Sequence, residues 1–109
     1  VAEAMGDDAG IALGGLRVDG GPARNHFLMQ TLADSLGADV RVAAEVESTA
    51  VGAAQMARHH AHGVPLDAIG ASWRAAEVYT PQITADERAA RRARWRRAVA
   101  LAQEFYAQA

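Results

Sequence analysis

The chain has no cysteine and no lysine among its 109 residues. Without cysteine there are no disulfides and no thiol chemistry, which is compatible with a cytoplasmic protein. All eleven basic residues are arginine, and GC-rich codon bias accounts for that better than bidentate anion recognition at several sites. No window approaches the roughly 18 consecutive apolar residues of a membrane-crossing helix. There is no basic-then-apolar leader at the start. A net charge of −2 argues against a nucleic-acid or membrane surface as partner. An initiator methionine is also lacking: the chain opens on VAEAMGDD, as if inside a helix, and is expected to be a piece of a longer protein.

What is present suits one modest α/β domain. Val1–Met5 has helix-forming composition, with Gly6 as its cap and Asp7–Gly10 as a polar loop. A buried strand is expected from about Leu13 to Asp19. Asp19-Gly20-Gly21 turns the chain, and Pro22 suits the first position of a helix running to Leu36. Leu28, Leu32 and Leu36 form a stripe on it, with Phe27, Met29 and Ala33 beside. Gly37 is a natural C-cap, and Ala38–Val42 alternates like a short strand. Strand, helix and strand of these lengths make a βαβ unit with parallel strands.

Ser48 or Thr49 should cap a second helix, Ala50–His62. Its small residues Ala50, Gly52, Ala53, Ala54 and Ala57 share a face, expected to lie close to the sheet or to another helix. After Gly63-Val64-Pro65 come a short connector over Leu66–Trp73 and an extended stretch, Ala75–Gln82. Thr84 and Glu87 form a capping box ahead of a long helix. On that helix Trp95, Val99, Ala102 and Tyr106 recur at helical spacing, widened by Ala98 and Phe105. Its arginine run reads as a solvated face, with Glu87 and Arg91 as an i,i+4 pair.

The chemistry centres on the Gly-Gly turn. It lacks the spacing of G-x-G-x-x-G and of the P-loop, so on residues alone it reads first as an ordinary structural turn. Asn25 sharpens it: a neutral amide with donor and acceptor can read a purine edge if glycine backbone lets the base come close. His59 and His62 are spaced for one helix face, but no third ligand is evident nearby. They read better as exposed histidines at a helix C-terminus, so no metal site is expected.

LRVDGGPARNHFLMQTLADSLG, followed by ESTAVGAAQMA, resembles the C-terminal half of the FGGY carbohydrate kinases. The match extends over nearly the whole chain, with Trp73, Tyr79, Pro81, Glu87-Arg88 and Trp95 supporting it. Within the family the chain looks most like the members that phosphorylate glycerol.

The resemblance implies part of a ribonuclease-H-like, actin-like ATPase domain: βαβα with a long C-terminal helix. It implies that Gly21 and Asn25, with Gly20 beside them, sit against the adenosine of ATP, Mg2+ accompanying the nucleotide in the intact enzyme. Asp19 falls in that turn and is expected to fix its geometry, not to act as the base. The His59-His60-Ala61-His62 stretch and the position of Gly63 depart from the family pattern, at the end of the second helix. No catalytic residue, polyol-binding residue or phosphate loop of the family maps onto these residues. The piece is therefore expected to be inactive alone, and to self-associate or to need a complementing N-terminal half. Its polyol or sugar substrate would bind only in the intact enzyme. The alternatives are a truncated, non-catalytic interaction module, or the same part of another sugar kinase acting on a pentulose.

Overall fold

A computed structural model describes residues 2–45 and 47–107. The order of elements is α1 (Ala2–Ala9), β1 (Leu16–Val18), a 3-10 turn (Gly21–Arg24), α2 (His26–Leu36), β2 (Val40–Ala43), α3 (Ser48–His62), α4 (Leu66–Ala71), β3 (Ala75–Tyr79) and α5 (Ala85–Ala107). The expected α/β class and the long C-terminal helix are both present.

β1 and β2 are parallel, with Leu16 opposite Val40 and Val18 opposite Val42, and α2 crosses between them. The extended stretch after Trp73 does more than connect. As β3 it pairs antiparallel with β2, Val40 facing Tyr79, and completes a sheet in the order β1-β2-β3.

Several boundaries move. The first helix does not stop at Gly6, and there is no loop over residues 7–9. α1 continues to Ala9 and ends where Gly10 turns left-handed at φ 65°. The expected start at Val1 lies outside the described residues. The first strand is only three residues long, because the glycines at 14 and 15 carry no side chain to pack into a sheet. The helix expected from Pro22 is two pieces. Pro22 opens a 3-10 turn instead, Asn25 is extended at φ −85° and ψ 97°, and α2 starts only at His26. The cap of α3 is Glu47, without a side-chain bond. Ser48, expected as a cap, turns back and donates to the carbonyl of Glu45 at 3.1 Å.

The core is small. Ala23, Met29, Ala33 and Val40 are buried, with Leu16, Val18, Leu32, Leu36, Val42 and Tyr79 packed around them. The buried line of α2 thus runs through Met29 and Ala33, one residue round from the leucine stripe, and Leu28 faces outward. Asp34 is the one buried polar residue among those described. Its carboxylate accepts from the backbone N–H of Gln82 at 2.7 Å and from Gln30 Nε2 at 3.0 Å, tying α2 to the segment that leads into α5. The capping box forms as expected: the N–H of Glu87 donates to Thr84 Oγ1 at 3.2 Å, and the N–H of Thr84 donates to Glu87 Oε2 at 2.9 Å. Arg92 then donates to the carbonyl of Ser35 at 3.1 Å, bringing positive charge to the C-terminal end of α2.

Among the described residues, two helices keep apolar faces without a neighbour. The small face of α3 does not lie against the sheet or another helix: no residue of α3 is buried, and a Cβ added at Gly52 would meet nothing. On α5, Trp95, Phe105 and Tyr106 are 70%, 72% and 75% exposed. The accessible surface is 8294 Å², against about 5,800 Å² for a compact monomer of this mass. The radius of gyration, 18.4 Å, likewise exceeds the roughly 13 Å of a compact domain of this length. Among the described residues no helix is long and apolar enough to cross a membrane.

Candidate nucleotide site

Three sequence features converge where β1 ends. Asp19 leaves the strand, Gly20 takes φ 80°, and Gly21 enters the 3-10 turn. The loop after β2 brings Glu47, Ser48 and Thr49 to the same place. Together with Arg24 these residues line an open cleft of about 430 Å³. A Cβ built on Gly20 or on Gly21 would touch nothing within 4 Å. The chain itself therefore gives no packing reason for bare backbone here, and the space above both glycines is open to a ligand.

The charges of the cleft are mixed. Asp19 and Glu47 are acidic and Arg24 is basic, and Arg24 has no ion pair among the described residues. The first N–H groups of α3 have no acceptor within the helix and add partial positive charge. An open cleft with bare glycine backbone on one wall has room for a flat polar group.

Asn25 does not line the cleft; it stands just beyond it. Its Oδ1 accepts from the N–H of Leu28 at 3.1 Å and caps α2. That bond fixes the amide's orientation and leaves Nδ2 as a donor with no partner among the described residues. Of the three predicted contacts, then, Gly20 and Gly21 share the cleft and Asn25 flanks it.

The sequence did not reveal that Arg24 and Glu47–Thr49 share this cleft. The signal was the second matched run, ESTA, whose proximity to the turn follows only from the parallel pairing of β1 and β2.

The histidines at the end of α3 behave as helix-terminal groups. His59 Nδ1 lies 2.7 Å from the carbonyl of Val64, across the left-handed cap at Gly63. No group of three or more His, Cys, Asp or Glu that could hold a metal occurs among the described residues. A more apolar cavity of about 390 Å³ lies between α3 and α4, with Val51, Met56, Ile69 and Trp73 in its wall. It meets the cleft at Ser48, which lines both. The Trp73 ring there lies under the Arg17 guanidinium, 4.4 Å from its centroid.

Residues 1–61 match the C-terminal domain of the FGGY family of carbohydrate kinases. The chain is 50% identical over 101 residues to a glycerol kinase of Bordetella parapertussis, covering 91% of this chain and 20% of that protein. It is 42% identical over 110 residues to a glycerol kinase of Rhodopirellula baltica, covering 99% of this chain and 20% of that protein. With a glycerol kinase of Petrotoga mobilis the identity is 40% over 111 residues, covering 96% and 21%. The chain spans about one fifth of the length of these curated relatives.

Proposed function

The chain belongs to the FGGY family of carbohydrate kinases, and on that premise we propose that it is the ATP-binding part of a kinase that phosphorylates glycerol. The overall reaction would convert ATP and glycerol to glycerol 3-phosphate and ADP. The observation that carries the reading is the meeting of the Gly20–Gly21 turn and the start of α3 on one open cleft, with no side chain of the protein against either glycine. Gly20 and Gly21 would hold adenosine against their backbone. Asn25 would donate Nδ2 to a ring nitrogen of the purine. Bound ATP supplies the phosphoryl group, and Mg2+ supplies positive charge at its phosphates. The names of the relatives support glycerol over a pentulose as acceptor.

The parallel β1–β2 pair bridged by α2 suits the second half of a ribonuclease-H-like domain of the actin-like ATPase type. We place the whole chain there, as a C-terminal subdomain. None of its residues is assigned to deprotonating glycerol. The isolated chain is then a binder of nucleotide, not a catalyst, and its uncovered helices call for a second copy or a complementing N-terminal half.

Calorimetric titration with ATP and ADP tests the site. Saturable binding at millimolar concentration or better, weakened by Asn25→Ala, is the expected result. If neither nucleotide binds and Asn25→Ala changes nothing, these residues form no nucleotide site of their own. Formation of glycerol 3-phosphate by the isolated chain would overturn its dependence on a missing half.

A further inference from the structure

The start of α5 is held to the rest of the chain. Arg88 lies so close to the backbone of Gly37 that a Cβ there would meet its guanidinium, and Arg92 donates to the carbonyl of Ser35. From residue 93 to residue 107, by contrast, every residue is exposed. Those positions make about 22 Å of helix at 1.5 Å per residue. A helix of that length is marginal in water unless one face of it packs.

The pattern on this stretch is a packing pattern. Trp95, Val99, Ala102 and Tyr106 recur at spacings of four, three and four, and Ala98 and Phe105 run along one side of the line. Such a line is the seam of a two-helix coil. Phe105 and Tyr106 stand edge to face, their ring centroids 5.4 Å apart. Trp95, Phe105 and Tyr106 are each mostly exposed, and at roughly 150–250 Å² for a whole aromatic side chain they offer about 400 Å² per copy. With Ala98, Val99 and Ala102 closing the seam, two copies would bury about 1,000 Å² together, the lower end of specific interfaces. The pairing is therefore reversible.

The charges of α5 decide its direction. Arg88, Arg91, Arg92, Arg94, Arg96 and Arg97 all fall in the first part of the helix, and Glu104 is the only charge after them. Carried upstream at the same spacing, the seam meets Arg92 and then Arg88. Parallel copies would set those arginines against their own counterparts, which like-charge repulsion disfavours. Antiparallel copies keep the two arginine-bearing ends apart. They also set large side chains against small ones. With Val99 level with the second copy's Ala102, Trp95 faces the second copy's Tyr106, and Ala98 lies beside its Phe105.

Of the two covers proposed for the exposed helices, we propose the second copy for α5. Two chains pair antiparallel along Trp95, Val99, Ala102 and Tyr106, about a two-fold axis between positions 99 and 102. The pairing needs no nucleotide, and no residue of the cleft takes part in it.

The chain has no cysteine, so an introduced one reports a single position. Trp95→Cys and Tyr106→Cys, mixed and mildly oxidised, should give disulfide-linked dimer at several-fold the yield of Trp95→Cys alone. The mixed pair keeps one Trp95–Tyr106 layer. In a pair of Trp95→Cys chains the two sulfurs stand about 16 Å apart along the axis, beyond the reach of a disulfide. Both positions are exposed, so neither substitution disturbs the core. Ala102→Arg places a charge in the seam, and in sedimentation equilibrium it should raise the dissociation constant of the otherwise wild-type chain about tenfold or more. A yield from Trp95→Cys alone that equals the mixture's would overturn the antiparallel register. A wild-type chain that stays monomeric at millimolar concentration, or a dimer indifferent to Ala102→Arg, would overturn the pairing itself. Nucleotide titration is blind to all of these outcomes, so the cleft at Gly20 and Gly21 stands or falls separately.

Discussion

Asn25 Oδ1 and the backbone N–H of Leu28, 3.1 Å apart, close the N-terminus of α2. The same amide is the group proposed to donate to the purine. Substitutions can separate the two uses. Asn25→Ala removes cap and donor together, and should cost about 1 kcal/mol of stability as well as nucleotide affinity. Asn25→Asp keeps an accepting oxygen, and its charge suits the positive end of the helix. It should unfold close to wild type in urea yet bind ATP more weakly. Equal affinity for ATP in Asn25→Asp and wild type would remove the amide from the site.

The two glycines of the turn should respond differently to an added methyl group. Gly20 holds φ 80°, a region that costs an L-residue roughly 1–2 kcal/mol, so Gly20→Ala should lower the urea midpoint. Gly21 has no positive φ, and its added Cβ meets nothing in the chain. Gly21→Ala should therefore leave stability within about 0.5 kcal/mol of wild type. It should still weaken ATP, because the methyl group occupies the space proposed for the adenosine. Unchanged affinity in Gly21→Ala would show that no ligand approaches that backbone.

Acid should loosen the join between α2 and α5. The backbone N–H of Gln82, then Gln30, hold the Asp34 carboxyl below its ordinary pKa, with Arg91 adding to them against the opposing effect of burial. Glu87 is held low in the same way by the backbone and hydroxyl of Thr84. A lowered folded-state pKa means that the unfolded chain binds more protons in the acid range. The contribution is therefore whole above the unfolded carboxylate values and is lost as pH falls through the folded ones. Asp34→Asn should lower the urea midpoint at neutral pH, and its difference from wild type should shrink on acidification. A difference that stays constant with pH would exclude the carboxylate charge as its source.

The parts of this architecture legible in the sequence are those governed by local chemistry. Pro22, Gly37 and the Thr84–Glu87 box each mark a helix end through their own backbone or side-chain preferences, and each lies at or within a residue of one. The break at Asn25 was not legible, because a proline-led 3-10 turn followed by an asparagine cap has the same composition as an unbroken helix. The pairing of β3 was hidden for another reason. Ala75–Tyr79 lacks strong alternation, and its partner Val40–Ala43 is more than thirty residues away. The small face of α3 was expected against the sheet or another helix and lies against neither, and the stripe of α5 is likewise exposed; cover for both is not among the described residues. For the site, Gly20, Gly21 and Asn25 came from a spaced run. The cleft they share with Arg24 and Glu47–Thr49 comes from tertiary structure alone.

The uncovered surface of α5 leads to a last expectation. Trp95, Leu101, Phe105 and Tyr106 are all more than half exposed, on a helix that buries no residue. Near 25 cal/mol per Å² of apolar area, leaving such groups in water is unfavourable, and two copies can cover them mutually. The chain's surface exceeds that of a compact monomer by about 2,500 Å², more than the roughly 800 Å² per partner that a stable interface needs. Sedimentation of the isolated chain at micromolar concentration should therefore show species heavier than its 11.5 kDa. Trp95→Ser, Phe105→Ser and Tyr106→Ser together should shift it toward monomer without altering the sheet, since none of the three touches the core cluster. A wild-type chain that sediments as a monomer would show that α5 does not pair with itself, and would leave the complementing half of the kinase as the proposed cover.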